Sequence, residues 1–172
     1  FFPNLKIKYF KSNTKVYDWK IPAEWEVNKA YIKDFNQKKI IDFKDNNLHL
    51  IGYSRPIKKK LKRDELFKKI FFLKKQPNAI PYITSYYKKN WGFCCTYNQY
   101  RQIRKKYNKN NVFNILIDST FKKNGRMNYA EYYIKGKSKK EILISTYICH
   151  PSMANNELSG PIVSMALINY FN

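Results

Sequence analysis

Glycine is scarce, at 5 of 172 residues, and cysteine scarcer, at 3. An odd cysteine count with two neighbours, Cys94-Cys95, argues against a disulfide framework, because adjacent residues are poorly placed to bridge. No C-x-x-C spacing is present, which removes the zinc-finger ligand pattern. The thiols read as reduced and buried, in a cytoplasmic protein. No apolar run approaches the roughly 18 residues that cross a bilayer, so no membrane partner is expected. No signal-peptide pattern opens the chain. Phe1-Phe2-Pro3 reads as the interior of a longer sequence, so a truncated chain is expected. Carboxylates are few, 12 Asp and Glu against 34 Lys and Arg, for a formal net charge of +22. Arg is rare among the cations, yet Arg is the side chain whose planar fork suits phosphate. Lys is spread widely instead of following one face, a pattern typical of an AT-rich genome. A nucleic-acid partner is therefore not expected, although some non-specific polyanion binding follows from the charge.

What is present is aromatic and apolar. Tyr and Phe dominate an aromatic content of 17%. The length suits one domain with a small second lobe. Residues 5–10 alternate apolar and Lys, the period of a half-buried strand. Val16 to Trp19 reads as a short strand, and Ile21-Pro22 as an elbow. Residues 31–34 and 39–43 form a hairpin pair around Asn36-Gln37-Lys38. Leu48 to Tyr53 reads as a strand. Leu61 to Leu73 fits a helical face, with Asp64 and Glu65 near its start, where the helix dipole favours them. Tyr97 to Lys106 is a short basic helix. Strands are expected at 112–118, 128–134 and 141–148, with a turn at Asn124-Gly125. Gly160 to Phe171 closes the sequence as an apolar helix. The fold class expected is α/β, a mixed sheet with helices.

One stretch reads as chemistry. The apolar run Leu143-Ile144-Ser145-Thr146-Tyr147-Ile148-Cys149 ends in His150. A polar loop with Asn155, Asn156 and Glu157 follows, and Ser159-Gly160 leads into the helix. An α/β enzyme often sets a metal ligand in this way, at the carboxyl end of a strand where the sheet opens. The bland alternative for His150 is a satisfied buried histidine, and for Asn156 and Glu157 it is turn and N-cap chemistry. Cys149 is open to a role as a thiolate ligand, but strand alternation points it away from His150 and favours the core. His49 has no Cys or carboxylate at ligand spacing and reads as structural. Tyr82, Tyr86, Tyr87, Trp91 and Phe93 read as core more readily than as a stacking surface. Ser159 lacks the G-x-S-x-G setting of a nucleophile and reads as a cap.

Six phrases occur in order: Asp18-Trp19; Pro22-Ala23-Glu24-Trp25; Asn47-Leu48-His49-Leu50-Ile51-Gly52-Tyr53-Ser54; Ile80 to Tyr87; Trp91-Gly92-Phe93-Cys94; and Cys149 to Gly160. Together they resemble a bacterial family of aminopeptidase-like proteins, the DUF4910 and DUF2172 group, related to the M28 zinc peptidases. The resemblance implies a zinc-exopeptidase-like mixed sheet interrupted by a small β-rich insert, with a winged-helix domain beyond it. By it, residues 1–30 and 126–172 belong to a partial core, and 31–125 to the inserted lobe. His150 matches the family's metal-binding His after a strand. Aligning Ser159-Gly160 puts Asn156 at the position of a metal-bridging Asp, with Glu157 beside it as the available carboxylate. The metal residues so implied are His150, Asn156 and Glu157, for one or two zinc ions, with the remaining ligands and the catalytic Glu beyond Asn172. The implied function is zinc-dependent hydrolysis of a peptide or amide small-molecule substrate at its amino end, with links to surface polysaccharide or flagellar modification. The alternative is a catalytically inactive peptidase-fold binding or regulatory module.

Overall fold

Every buried apolar side chain among the described residues lies between Ile21 and Ile117, so one stretch of sequence supplies the whole core. A computed structural model of the chain describes residues 2–150 and 152–171. It divides into two compact units, Ser12–Gly125 and Phe1–Lys11 with Arg126–Asn172. The architecture is mixed α/β, with short sheets and few helices. No helix among the described residues is long and apolar enough to cross a membrane.

The first strand, β1 (Lys6–Lys11), belongs to the unit drawn from the two ends of the sequence, called outer for its place in the sequence, as Ser12–Gly125 is called inner. The inner unit begins with a minimal hairpin, β2 (Lys15–Val16) and β3 (Trp19–Lys20). Strands β4 (Glu24–Lys33), β5 (Lys39–Asp42) and β6 (Ile57–Lys62) follow, then a one-turn helix α1 (Arg63–Phe67) and the parallel pair β7 (Ile70–Phe71) and β8 (Phe93–Cys94). Helix α2 (Tyr97–Lys106) and the long strand β9 (Val112–Lys122) complete it. The main sheet has the order β5-β4-β9-β6, antiparallel throughout. Period-two alternation explains it: Phe113, Ile115, Ile117 and Ser119 of β9 are buried, with intervening residues turned outward. Across the ladder Ile115 pairs with Ile32 and Ile117 with Ala30, so apolar side chains stack on one face. Leu66 of α1 and Ile103 of α2 join the same cluster.

Helix α2 starts where the sequence supplies a reciprocal cap. The Gln99 amide donates to Thr96 Oγ1 at 3.0 Å, and the Thr96 amide to Gln99 Oε1 at 2.9 Å. Arg104, Lys105 and Lys106 fill its last turn, where the dipole favours cations.

In the outer unit β1 pairs antiparallel with β10 (Arg126–Glu131), and the unit ends in helix α3 (Asn155–Phe171). The turn at Asn124-Gly125 forms, with the Gly125 amide donating to the Lys122 carbonyl. Strands β9 and β10 on either side of it nonetheless pair with different partners.

Four expectations need correction. Leu48 to Tyr53 is not a strand; Asn47–His49 is a 3-10 turn, because Asn46 Oδ1 accepts from the Leu48 amide at 2.9 Å and draws the backbone out of a ladder. The helix expected over 61–73 shrinks to Arg63–Phe67, since Leu61 and Lys62 are held by β9 and Ile70–Phe71 by β8. Residues 141–148 carry no strand, as no described strand pairs with them, and Ile142 and Leu143 are exposed. The last helix begins at Asn155, five positions before Gly160. Residues 12–30 pack with the Ser12–Gly125 unit, and β4 carries the chain from Glu24 into its sheet.

Asp34 is a buried charge with a purpose. It is 1% exposed, accepts from the Tyr107 hydroxyl at 2.9 Å and from the Lys38 amide at 2.9 Å, and so closes the β4–β5 turn. Burial pushes its carboxyl up, but those donors and the nearby Lys106 outweigh it, and the net shift is downward. Asp34→Ala is expected to cost about 1–3 kcal/mol at pH 7, because Tyr107 loses its buried acceptor. A lowered carboxyl stabilises fully above its ordinary value of 3.8 and loses that contribution as pH falls through the folded value. The gap between wild type and variant in urea denaturation therefore narrows in acid. A gap unchanged down to full protonation would show that Asp34 acts by packing alone.

Candidate metal site

The outer unit gathers its chemistry where the extended chain meets α3. Glycine at 160 permits the meeting: a Cβ there would lie 1.9 Å from Thr146 Oγ1, so any side chain would push the segment off the helix. The approach carries Cys149 and His150 over the first turn of α3. The loop between them bends through two left-handed residues, Ser152 at φ 60° and Ala154 at φ 43°. Such conformations are costly for non-glycine residues and persist where the surroundings fix them. Here the Glu157 and Leu158 amides both donate to the Ala154 carbonyl at 3.1 Å.

Glu157 is the centre of the arrangement. It sits in the first turn of α3, where the dipole favours an anion, and it is 4% exposed. Its Oε1 lies 2.7 Å from His150 Nδ1, and its Oε2 accepts from the Cys149 amide at 2.5 Å. Burial raises the carboxyl, but the Cys149 amide and then His150 outweigh it, so the group lies below the ordinary carboxylate range. With Nδ1 donating to the carboxylate, the neutral ring keeps its lone pair on Nε2. His150 is half-buried, with 28% of its side chain accessible.

Cys149 completes the group. Its Sγ lies 3.1 Å from His150 Nδ1 and 3.7 Å from Nε2. Burial, then the Glu157 charge, push the thiol up, so it stays protonated near neutrality. One donor atom from each of Cys149, His150 and Glu157 falls within 4.8 Å of the other two. An imidazole nitrogen, a carboxylate oxygen and a sulfur in that compass form a donor set suited to a borderline cation such as zinc.

The structure therefore brings His150 and Glu157 together. Asn156 is exposed at the helix start, its amide donating to the Met153 carbonyl at 3.0 Å. Cys149 was expected in the core; it is exposed and beside His150. Alternation predicts direction only along a strand, and residues 141–149 do not form one. The signal that finds it is the adjacency of Cys149 and His150 upstream of a first-turn carboxylate. Ser159 lies inside α3, exposed, and does not cap it.

Elsewhere the structural readings stand. His49 is buried and donates from Nδ1 to the Cys94 carbonyl at 2.8 Å. Cys94 and Cys95 are fully enclosed, and burial pushes both thiols up to about 12. Trp91 and Phe93 are core, but Tyr86 and Tyr87 are exposed.

A family model described as "Domain of unknown function (DUF2172)" matches residues 24–120. A relative from Clostridium acetobutylicum, named "Putative polysaccharide biosynthesis protein with aminopeptidase-like domain", is 43% identical over 166 residues. The alignment covers 96% of this chain and 36% of that relative. A crystal structure of a "putative peptidase" from Clostridium acetobutylicum superposes with a TM-score of 0.85 at 41% identity, over 96% of this chain and 39% of that one. This chain thus spans well under half the length of the proteins it matches.

Proposed function

This chain belongs to the DUF2172 family, and we propose that it is part of an M28-like, zinc-dependent aminopeptidase-like hydrolase acting on peptide or amide bonds. The observation that carries the reading is the pairing of His150 with the buried Glu157 at the mouth of α3, 2.7 Å apart. Relatives named as aminopeptidase-like and as a peptidase support it. His150 would hold the ion through Nε2, while Glu157 fixes the ring through Nδ1, the usual division of labour between a metal-binding imidazole and its carboxylate partner. Cys149 is the adjacent soft donor. Zinc held there would supply Lewis acidity for activating water near neutral pH. The chain's own residues orient one another: Glu157 sets the His150 tautomer, and the Cys149 amide holds the carboxylate in place. The relative named for polysaccharide biosynthesis supports an amide-bearing saccharide precursor as one substrate class.

Equilibrium dialysis against zinc, followed by metal analysis, tests the metal half. About one tightly held ion per full-length protein is expected. Absence of stoichiometric metal at neutral pH would sink the assignment. Cleavage of peptides with free amino ends, and not of blocked ones, tests the hydrolase half. A second reading, a peptidase-fold binding module without chemistry, is favoured by the neutral, exposed Asn156. Metal retention without cleavage of any amide would select it.

A further inference from the structure

The inner unit holds a cavity that neither the metal site nor the core accounts for. It has a volume of about 380 Å³ and lies between the 53–56 turn and the 85–89 loop. Its walls are rings: Tyr53, Tyr86, Tyr87 and Phe121. Tyr53 stacks on Trp25 with ring centroids 5.6 Å apart, and meets Tyr86 edge-on at 4.7 Å. These rings offer faces more than hydroxyls. The Tyr87 hydroxyl donates to the Lys20 carbonyl at 2.7 Å, and the Tyr86 hydroxyl lies 3.4 Å from that of Tyr82.

Tyr53 is held in place at a cost. Its φ is 63°, a left-handed conformation that a bulky aromatic rarely adopts. The next residue over-determines it. The Ser54 hydroxyl donates to the Ile51 carbonyl at 2.7 Å, and the Ser54 carbonyl accepts from Trp25 Nε1 at 3.0 Å and Ser119 Oγ at 2.7 Å. Strain fixed this firmly is a mark of functional positions. It aims the Tyr53 ring into the cavity instead of the core.

The rim is cationic. Arg55, Lys88 and Lys89 line it, all three are exposed, and no carboxylate is among the lining residues. An apolar cavity walled by aromatic rings, with Arg55, Lys88 and Lys89 at its rim, suits an aromatic ring that carries negative charge. A hydroxyl-rich neutral sugar is served less well, because the wall hydroxyls of Tyr86 and Tyr87 are already engaged. We propose that this cavity binds a phosphorylated nucleoside, its base against Tyr53 and Tyr86 and its phosphates at Arg55, Lys88 and Lys89. Stacking accepts any base, so the site reads ring and charge more than base identity.

Isothermal titration of the chain with ADP, adenosine and inorganic pyrophosphate, at roughly 0.15 M ionic strength, tests the assignment. ADP is expected to bind at least about tenfold tighter than either half alone. Tyr86→Ala is expected to weaken ADP by about tenfold or more, and Tyr86→Phe, which keeps the ring, to bind like wild type. Lys88→Ala with Lys89→Ala should lower ADP toward the adenosine value. Unchanged tryptophan emission and melting show that each variant is folded. Four outcomes overturn the proposal. They are pyrophosphate binding as tightly as ADP, no saturable ADP binding below about 1 mM, affinity indifferent to Tyr86→Ala, and a single-stranded oligonucleotide binding more tightly per nucleotide than ADP.

Discussion

Phe113→Ala is expected to remove about 3–5 kcal/mol from the stability of the Ser12–Gly125 unit. Phe113 is 0% exposed, stands near the start of β9, an inner strand of the sheet, and meets Tyr107 edge-on with centroids 5.1 Å apart. Its removal opens a cavity that the ladder partners Leu61 on β6 and the neighbouring Ile115 cannot close, because both are fixed by strand pairing. Domains typically keep only about 5–15 kcal/mol in reserve, so the variant stands near the edge of folding. The readout is selective. All 3 tryptophans, Trp19, Trp25 and Trp91, lie in this unit, so emission during urea denaturation follows it alone. The midpoint should fall sharply with an unchanged slope. A loss below about 1 kcal/mol would mean that the sheet relaxes around the void, against the close packing assigned to it.

The same strand shows which parts of the fold were legible from sequence. In β9 the apolar, β-branched run from Val112 to Ile117 follows a polar turn and reads as a strand, and its alternate residues Phe113, Ile115 and Ile117 are the buried ones. The stretch from Ile57 to Leu73 admits two patterns. Leu61, Leu66 and Ile70 approximate a helical face, yet Leu61 pairs with Phe113 and Ile70 with Phe93. Three consecutive lysines, Lys58 to Lys60, obscure the strand. They are the charges of a sheet edge, where lysine discourages pairing with another chain. Long-range pairing decided between the patterns, and local sequence does not record it. Tyr53 was hidden for a related reason. Its place in an apolar run suggests a core strand, and only the bonds around Ser54 reveal the left-handed turn.

The candidate site divides along the same line. His150 and Glu157 were legible because a His ending an apolar run and a carboxylate opening a helix are local signals. Their separation of 2.7 Å was not, since it depends on the close approach at Gly160. Cys149 was misplaced because alternation was extended over residues that have no ladder partner. The exposed Ile142, Leu143 and Ile148 leave apolar side chains of that segment at the surface, while its Thr146 lies against Gly160 of α3.

His150→Ala is expected to abolish stoichiometric zinc retention, and Glu157→Gln to weaken it by about 10–100-fold. The difference follows from the assigned roles. His150 offers Nε2 directly, and no other described nitrogen ligand stands in the cluster. Glutamine keeps the shape of Glu157 and can still contact the Cys149 amide, but it loses the charge that polarises the imidazole. Acid titration gives a second, independent check. The folded Glu157 carboxyl lies below its ordinary value of 4.5, so its contribution to stability is complete above that pH and is lost as pH falls through the folded value. Melting of the wild-type outer unit, followed by circular dichroism, should therefore decline in that acid window. The Glu157→Gln protein should lack this part of the decline. If the two variants retain zinc equally, the His150–Glu157 contact is a helix cap and not the frame of a metal site.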